Sequence, residues 1–288
     1  MGDDRILACD VGGTRLRVAV VETGGAIVSK EVIPTPKKDP DALARAMRLL
    51  AEKAGQPMKG AVVGLPGLVD YSRGKVLTLP NLPDWEGSLS AVRLGVELGV
   101  PVLLANDADL AALGEHRYGA GRGSQDMLYV TSSTGVGAGV IISGRLLHGQ
   151  LSLAEAGHTI IDWTTGDTLE TLGSGTALAR AAGEDAAAVA ARAAAGDSGA
   201  AKHFASTAEA FAVGVYNLVH CYSPEVVVIG GGMSQAGELL LGPIRDQLER
   251  CEHGCVASKA KVVKAQGGDD VGLRGAYAYW MDCSSSAT

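Results

Sequence analysis

No run of apolar residues in this chain approaches the ~20 needed to cross a bilayer. The polar, acidic start Met1-Gly-Asp-Asp-Arg5 is not followed by the apolar stretch of a secretory leader. Ile6 takes Met1-Gly2 out of the myristoylation pattern. A basic surplus is missing as well. With 25 Lys and Arg against 32 Asp and Glu, the net charge of −7 argues against nucleic acid as a partner, because phosphate backbones require a basic surface. Cysteine is sparse: Cys9, Cys221, Cys251, Cys255 and Cys283 are odd in number and scattered, which fits reduced thiols. Cys251-Glu-His-Gly-Cys255 has the outline of half a metal site, yet no second ligand pair of suitable spacing lies near it, so it reads as a loop at a helix end. These absences predict a soluble, cytoplasmic protein without a membrane or nucleic-acid partner.

What the chain has in excess is glycine. Its 40 glycines are about twice the usual ~7% share, as expected of many βα turns and ligand loops. At 288 residues it can form one large or two medium domains with a substantial core.

Two stretches stand out. In Leu7-Ala-Cys-Asp-Val-Gly-Gly-Thr-Arg-Leu-Arg-Val-Ala-Val20 an apolar run ends at Asp10, Gly12, Gly13 and Thr14 reverse the chain, and a second apolar run returns. Asp10 offers a carboxylate to a metal ion or its water shell, and the backbone N–H groups of Gly13 and Thr14 face into the turn. Backbone donors, a hydroxyl and a carboxylate together suit a Mg²⁺–phosphate group. The run from Tyr129 to Ile142 repeats the design around Thr134, Gly135 and Gly137. Two such hairpins more than a hundred residues apart predict two similar halves serving one ligand.

Between and beyond the hairpins the pattern is that of an α/β protein. A strand over 26–33 precedes a helix that Asp39 and Pro40 begin, with Leu43, Met47, Leu50 and Ala54 on one face and Gly55 at its end. Strand 61–65 leads to Pro66-Gly67, and Asn81-Leu-Pro-Asp-Trp85 follows, where Asn81 is suited to capping or an Asx turn. Helix 89–98 and strand 100–105 then deliver Asn106 and Asp107 ahead of a helix over 108–118. After the second hairpin, the stretch 153–161 holds Glu155, Gly157 and His158, and Glu170 and Ser174-Gly175 come next. Ala-rich helix is expected over 176–201, in one or two pieces, and an amphipathic helix over 207–222. Strand 226–229 runs into Gly230-Gly-Gly-Met233 and then a helix to about Glu249, the arrangement in which a nucleotide lies against bare backbone. A last strand over 260–265, a last helix over 272–283 and a disordered tail 284–288 complete the expectation.

Taken in order, Asp10-x-Gly-Gly-Thr14, Asn81-Leu-Pro-x-Trp85, Asn106-Asp107, Thr134-Gly-x-Gly137, Glu155-x-Gly-His158, Glu170 and Gly230-Gly-Gly232 resemble the ROK family of bacterial sugar kinases and repressors, its glucokinase branch most closely. The match covers nearly the whole chain. The resemblance implies a two-domain actin-like ATPase (ribonuclease H-like) fold with a central cleft: residues 1–112, completed by helix 273–283, and residues 113–272. It implies ATP with Mg²⁺, the phosphates at Asp10, Gly12, Gly13, Thr14, Thr134, Gly135 and Gly137, and adenine near Gly230, Gly231 and Gly232. Asp107 would be the general base, and Gly67, Asn81, Asn106, Glu155, His158 and Glu170 would line the hexose, most simply glucose. Carboxylates and amides suit a ring of hydroxyls.

One departure stands out. Many family members carry a Cys-x-Cys…Cys cluster that binds structural zinc with the His, whereas Thr159–Leu169 contains no cysteine. No zinc is therefore expected, and the loop after His158 must be held by hydrogen bonds or packing. N-acetylhexosamine or fructose as acceptor and polyphosphate as donor remain open within the family, as does a homodimer. A sugar-responsive regulator is the reading from another class, but only five residues precede the first strand, too few for a helix-turn-helix.

Overall fold

A computed structural model of the protein describes residues 4–151, 155–250 and 259–285. They form two compact units. The first takes the described residues of Met1–Gly119, His148–Leu153 and Gly267–Thr288, and the second those of Ala120–Leu147 and Ala154–Gln266.

In the first unit, β1 (Ile6–Val11), β2 (Arg15–Glu22) and β3 (Ala26–Pro34) form an antiparallel meander. Helix α1 (Asp41–Ala54) then returns the chain to β4 (Gly60–Leu65), parallel to β1. A small hairpin, β5 (Leu68–Asp70) and β6 (Lys75–Thr78), precedes α2 (Ala91–Leu98), β7 (Val102–Asn106) and α3 (Asp107–Tyr118). The sheet order is β3-β2-β1-β4-β7. Near-continuous apolar runs in β1 and β4 fit strands covered on both faces. Leu43, Met47 and Leu50 bury one stripe of α1 against that sheet, each worth roughly 1.5–3 kcal/mol relative to exposure. The start of α1 differs from expectation. Pro40 holds the N-cap position with no side-chain cap, while the Asp39 carboxylate pairs with Arg45 and only its carbonyl serves the first turn.

The last helix, Val271–Ser285, belongs to this unit and lies directly on α3. Glycines allow that approach. A Cβ on Gly275 would stand 1.7 Å from the Leu110 carbonyl oxygen, and one on Gly114 would stand 2.2 Å from that of Val271. Sandwiched in this way, α3 is buried at every residue from Ala108 to His116, which explains why its sequence shows so little amphipathic pattern. The helix also takes in Ser284 and Ser285, which were expected in the tail.

The second unit repeats the plan. β8 (Met127–Ser132), β9 (Val136–Ile142) and β10 (Arg145–Leu147) form the meander. A short hairpin, β11 (Ile160–Asp162) and β12 (Asp167–Thr168), leads to α4 (Leu169–Gly173), α5 (Gly175–Ala182), α6 (Ala186–Ala194) and the long α7 (Ser198–Tyr222). β13 (Val226–Gly230), α8 (Glu238–Glu249) and β14 (Lys261–Lys264) complete a sheet ordered β10-β9-β8-β13-β14. The Ala-rich stretch is cut where Asp185 and Asp197 cap new helices, each carboxylate accepting backbone N–H groups of the turn it opens. Its final residues therefore belong to α7, which begins nine residues before the expected Thr207. Cys251 and Cys255 lie outside the described residues.

Candidate active site

The carboxyl ends of β1, β4 and β7 bring the first group of expected site residues side by side. Asp10 pairs in register with Gly64, and the next position, Leu65, pairs with Asn106. Such strand ends are where α/β proteins collect ligands. Asn106 caps α3: its Oδ1 accepts the N–H groups of Ala108 (2.9 Å) and Asp109 (3.3 Å). Its Nδ2 donates to the Gly67 carbonyl at 3.1 Å, and its backbone N–H to the Tyr71 hydroxyl at 3.0 Å. Asp107, the first residue of the helix, is thus not the cap, although its Oδ1 accepts the adjacent Ala108 N–H at 2.8 Å. Gly67 is held at φ 149°, with Thr78 O only 2.2 Å from where a Cβ would stand, so the carbonyl that anchors Asn106 requires glycine.

Asn81 is exposed and packs on the first hairpin turn, its Cβ 3.3 Å from the place a Cβ on Gly13 would occupy. It caps no helix. The loop around it is fixed by Leu79, Leu82 and Trp85, all fully buried, and by Trp85 Nε1 donating to the Pro36 carbonyl. Asp10 forms an ion pair with Arg17 at 2.9 Å. Burial raises its pKa, and the Arg17 charge and hydrogen bond offset part of that rise.

The two hairpin turns share one property. In the first turn three carbonyls are taken: Gly12 O accepts from Thr35 Oγ1 (2.6 Å), Thr14 O from Thr35 N (3.0 Å) and Arg15 O from Gly12 N (2.9 Å). The N–H groups of Gly13 and Thr14 have no acceptor among the described residues. Around Ser133–Gly135 the pattern recurs. Ser133 O accepts from Gly175 N (2.7 Å) and Thr134 O from Thr176 Oγ1 (2.6 Å), while the N–H groups of Thr134 and Gly135 are unpaired there. Turns that spend their carbonyls inward and leave N–H groups open are built to receive an anion. Gly137 lies beyond the turn, in β9 opposite Thr131, so it does not join these donors.

Glu155, His158 and Glu170 gather beside the second turn. Glu170 sits in the first turn of α4, which Thr168 and Thr171 cap reciprocally, and its Oε2 accepts the Val136 N–H at 2.9 Å. Glu155 Oε2 lies 3.6 Å from His158 Nε2 across the short turn Ala156–His158. Burial raises the Glu155 pKa. The His158 charge lowers it in part, and the Glu170 charge adds to the rise. His158 itself is largely exposed. The cysteine-free segment after it folds as the β11–β12 hairpin. Asp162 Oδ1 accepts the Thr164 N–H at 2.9 Å, Thr165 Oγ1 donates to Asp167 at 2.8 Å, and Leu169 N donates to the Thr159 carbonyl at 2.9 Å. Among the described residues no group of three or more His, Cys, Asp or Glu is arranged to hold a metal.

Next to the second turn is a cavity of about 350 Å³, walled by Ser133, Thr134, Gly175, Thr176, the start of α6 at Asp185–Ala187, and Gly232-Met233. Its surface is mostly alanine, glycine and methionine, with hydroxyls at one end, a composition suited to a flat heterocycle. The three expected glycines divide between two roles. A Cβ on Gly230 would stand 2.3 Å from the Tyr129 hydroxyl, and one on Gly231 would stand 2.2 Å from Ser132 O, so both answer to the neighbouring strand. Only Gly232 faces open space. The chain then forms a 3₁₀ turn, Gly232–Ala236, and the expected helix waits until Glu238 because Gly237 (φ 58°, ψ −125°) breaks the path. The sequence reading missed Ser133, Thr176, Asp185 and Met233 as cavity walls. A hydroxyl or carboxylate at the start of each Ala-rich helix was the available signal.

Sequence comparison agrees with this arrangement. The pattern that defines the ROK family matches residues 6–283. A glucokinase of Halalkalibacterium halodurans is 35% identical, covering 96% of this chain and 94% of its own length. One of Thermotoga maritima is 31% identical over 94% of this chain and 96% of its own. The crystal structure of a ROK family glucokinase from Streptomyces griseus in complex with glucose and AMPPNP superposes with a TM-score of 0.81 at 30% identity, covering 96% of this chain and 98% of that one. The ROK hexokinase of Thermus thermophilus gives 0.82 at 32%, covering 96% and 99%. With two units of one strand plan, paired turns and a family match across nearly its whole length, the chain belongs to the ROK family and has its two-domain, actin-like ATPase fold.

Proposed function

We propose that the protein transfers the γ-phosphoryl group of ATP to a hexose hydroxyl, glucose to glucose 6-phosphate, with Asp107 as general base. The observation that carries this reading is the division of labour at the start of α3. Asn106 supplies the helix cap, so capping α3 does not account for a carboxylate at position 107. The glucokinases similar to this chain and the glucose–AMPPNP complex of the Streptomyces griseus enzyme support the substrate pair.

In this reading Asp107 accepts the proton of the sugar hydroxyl as its oxygen bonds to the γ-phosphorus and the bond to the bridging oxygen of ADP breaks. The transition state is loose, so the proton moves late and an ordinary carboxylate suffices. From the first unit, Gly67, Asn81 and Asn106 serve the sugar in this reading, Asn81 directly and Asn106 through its remaining amide hydrogen. From the second, Glu155, His158 and Glu170 do so. The unpaired N–H groups of Gly13, Thr14, Thr134 and Gly135 receive phosphate oxygens, and the cavity beside Gly232 receives adenine. Asp10 fits a magnesium site: Arg17 holds one carboxylate oxygen, and Mg²⁺ commonly takes only one or two carboxylates besides water and phosphate. Bound there, the ion would neutralise charge on the transferring phosphoryl group.

Asp107→Asn tests the assignment. The amide keeps the shape and can still accept the Ala108 N–H, so glucose affinity should change little. Turnover should fall by about 10²–10⁴ with loss of the base. Were Asp107 only a structural residue at a helix start, asparagine would serve equally well. Near-normal kcat in a coupled assay would remove Asp107 from the mechanism, and running the same assay with a panel of hexoses, ATP and polyphosphate fixes both substrates.

A further inference from the structure

The junction that presents Asp107 is braced by a side chain outside every motif. The Tyr71 hydroxyl, in the turn after β5, accepts the backbone N–H of Asn106 at 3.0 Å and donates to Asp109 Oδ2 at 2.5 Å. Asp109 is fully buried in the first turn of α3, two residues beyond Asp107. The Tyr71 ring is clamped: it stacks on the His148 imidazole with centroids 4.6 Å apart and 28° between planes, and the Tyr279 ring of the last helix lies 6.3 Å away. Burial, followed by the Asp109 charge and hydrogen bond, raises the phenol pKa, so the hydroxyl keeps its proton and its direction at working pH.

We infer that Tyr71 is a positioning residue for phosphoryl transfer: its hydroxyl, shared between the Asn106 N–H and Asp109, sets the orientation in which Asp107 meets the acceptor hydroxyl. The inference rests on Asp107 being the base. Asn106 is also held at the end of β7, in register with Leu65 of β4, and through its side chain, to Gly67 O and to the first N–H groups of α3. Those contacts tie the cap to the sheet, the helix and one loop, while the Tyr71 bond takes up the backbone N–H one residue before Asp107 and links it to the first turn of α3 through Asp109. Without the hydroxyl a buried N–H loses its acceptor and a buried carboxylate loses a donor, and the junction must shift to find replacements. A displacement of about 1 Å at a reacting group costs on the order of 10²-fold in rate.

A structural alternative exists, in which Tyr71 serves only to solvate the buried Asp109. Comparing Tyr71→Phe with the double variant Tyr71→Phe/Asp109→Asn separates the two. In the single variant kcat should fall by about tenfold or more, with KM for ATP unchanged, because Tyr71 bonds the Asn106–Asp109 junction and none of the groups assigned to the nucleotide. In the double variant the buried charge is gone, so Tm should recover towards wild type. The Asn106 N–H still lacks its acceptor, so kcat should stay low. A single variant with normal kcat, or a double variant in which kcat recovers along with Tm, overturns the inference. If the single variant does not fold, the double variant carries the comparison with wild type on the same terms. Asp107→Asn, measured alongside, keeps the two readings apart. Full activity there removes the base, whereas an inactive Asp107→Asn with an unimpaired Tyr71→Phe removes only the role of Tyr71.

Discussion

Glu155 is the residue whose environment translates most directly into a pH dependence. Its pKa lies above the ordinary carboxylate value because burial disfavours the charge, with His158 offsetting part of the rise and Glu170 adding to it. A raised folded-state pKa means the fold favours the protonated acid. That stability is present below the ordinary glutamate pKa and is lost as pH rises through the folded value. Sugar binding has the opposite preference, since the ionised group is the better acceptor for hydroxyls. KM for glucose should therefore climb on acidification from a higher pH than an unperturbed glutamate would give. Glu155→Gln should raise KM by about ten- to a hundredfold, the worth of a charged hydrogen bond, with a smaller effect on kcat. It should also lose this part of the pH dependence, and its Tm at neutral pH should rise slightly, because the half-buried charge is gone. An unchanged KM would take Glu155 out of the site.

At the scale of elements, the two hairpins, the β13 strand and α3 were legible because apolar runs broken by Gly, Thr, Asn and Asp carry their own turn chemistry. Element starts were less legible. Asp39 looked like a cap because it precedes Pro40, but Arg45 competes for its carboxylate. Asp185 and Asp197 were overlooked as caps because the alanine runs dominate the stretch, although Gly183 and Gly196, both at positive φ, break it just before each of them. The glycine triplet shows the same limit, since a sequence cannot distinguish a glycine demanded by a neighbouring strand from one left open for a ligand. That difference is testable. Gly231→Ala puts a methyl into the left-handed region (φ 81°) and against Ser132 O, costing at least roughly 1–2 kcal/mol for the conformation alone. Its Tm should fall. Gly232→Ala meets nothing within 4 Å, so Tm should hold while the added methyl, placed on the cavity wall, raises KM for ATP. Equal loss of Tm in both variants would deny Gly232 a place beside the nucleotide.

At the scale of the whole molecule, the repeated strand plan was legible because each half announces itself with the same apolar–Gly/Thr–apolar signature. Tyr71 and the walls of the cavity were not, because they depend on which segments the fold brings together rather than on local pattern. The duplication also makes the phosphate assignment testable without a rate measurement. Four turn amides, those of Gly13, Thr14, Thr134 and Gly135, have no acceptor among the described residues and should exchange with solvent deuterium rapidly in the free protein. On the proposed phosphate assignment, a non-hydrolysable ATP analogue with Mg²⁺ should slow exchange at both turns. Glucose alone should instead protect the peptides spanning 106–109 and 155–170, which carry the proposed sugar ligands. Protection by the nucleotide confined to Thr134 and Gly135 would show that the first turn holds no phosphate, and Asp10 would lose its case as the magnesium carboxylate with it.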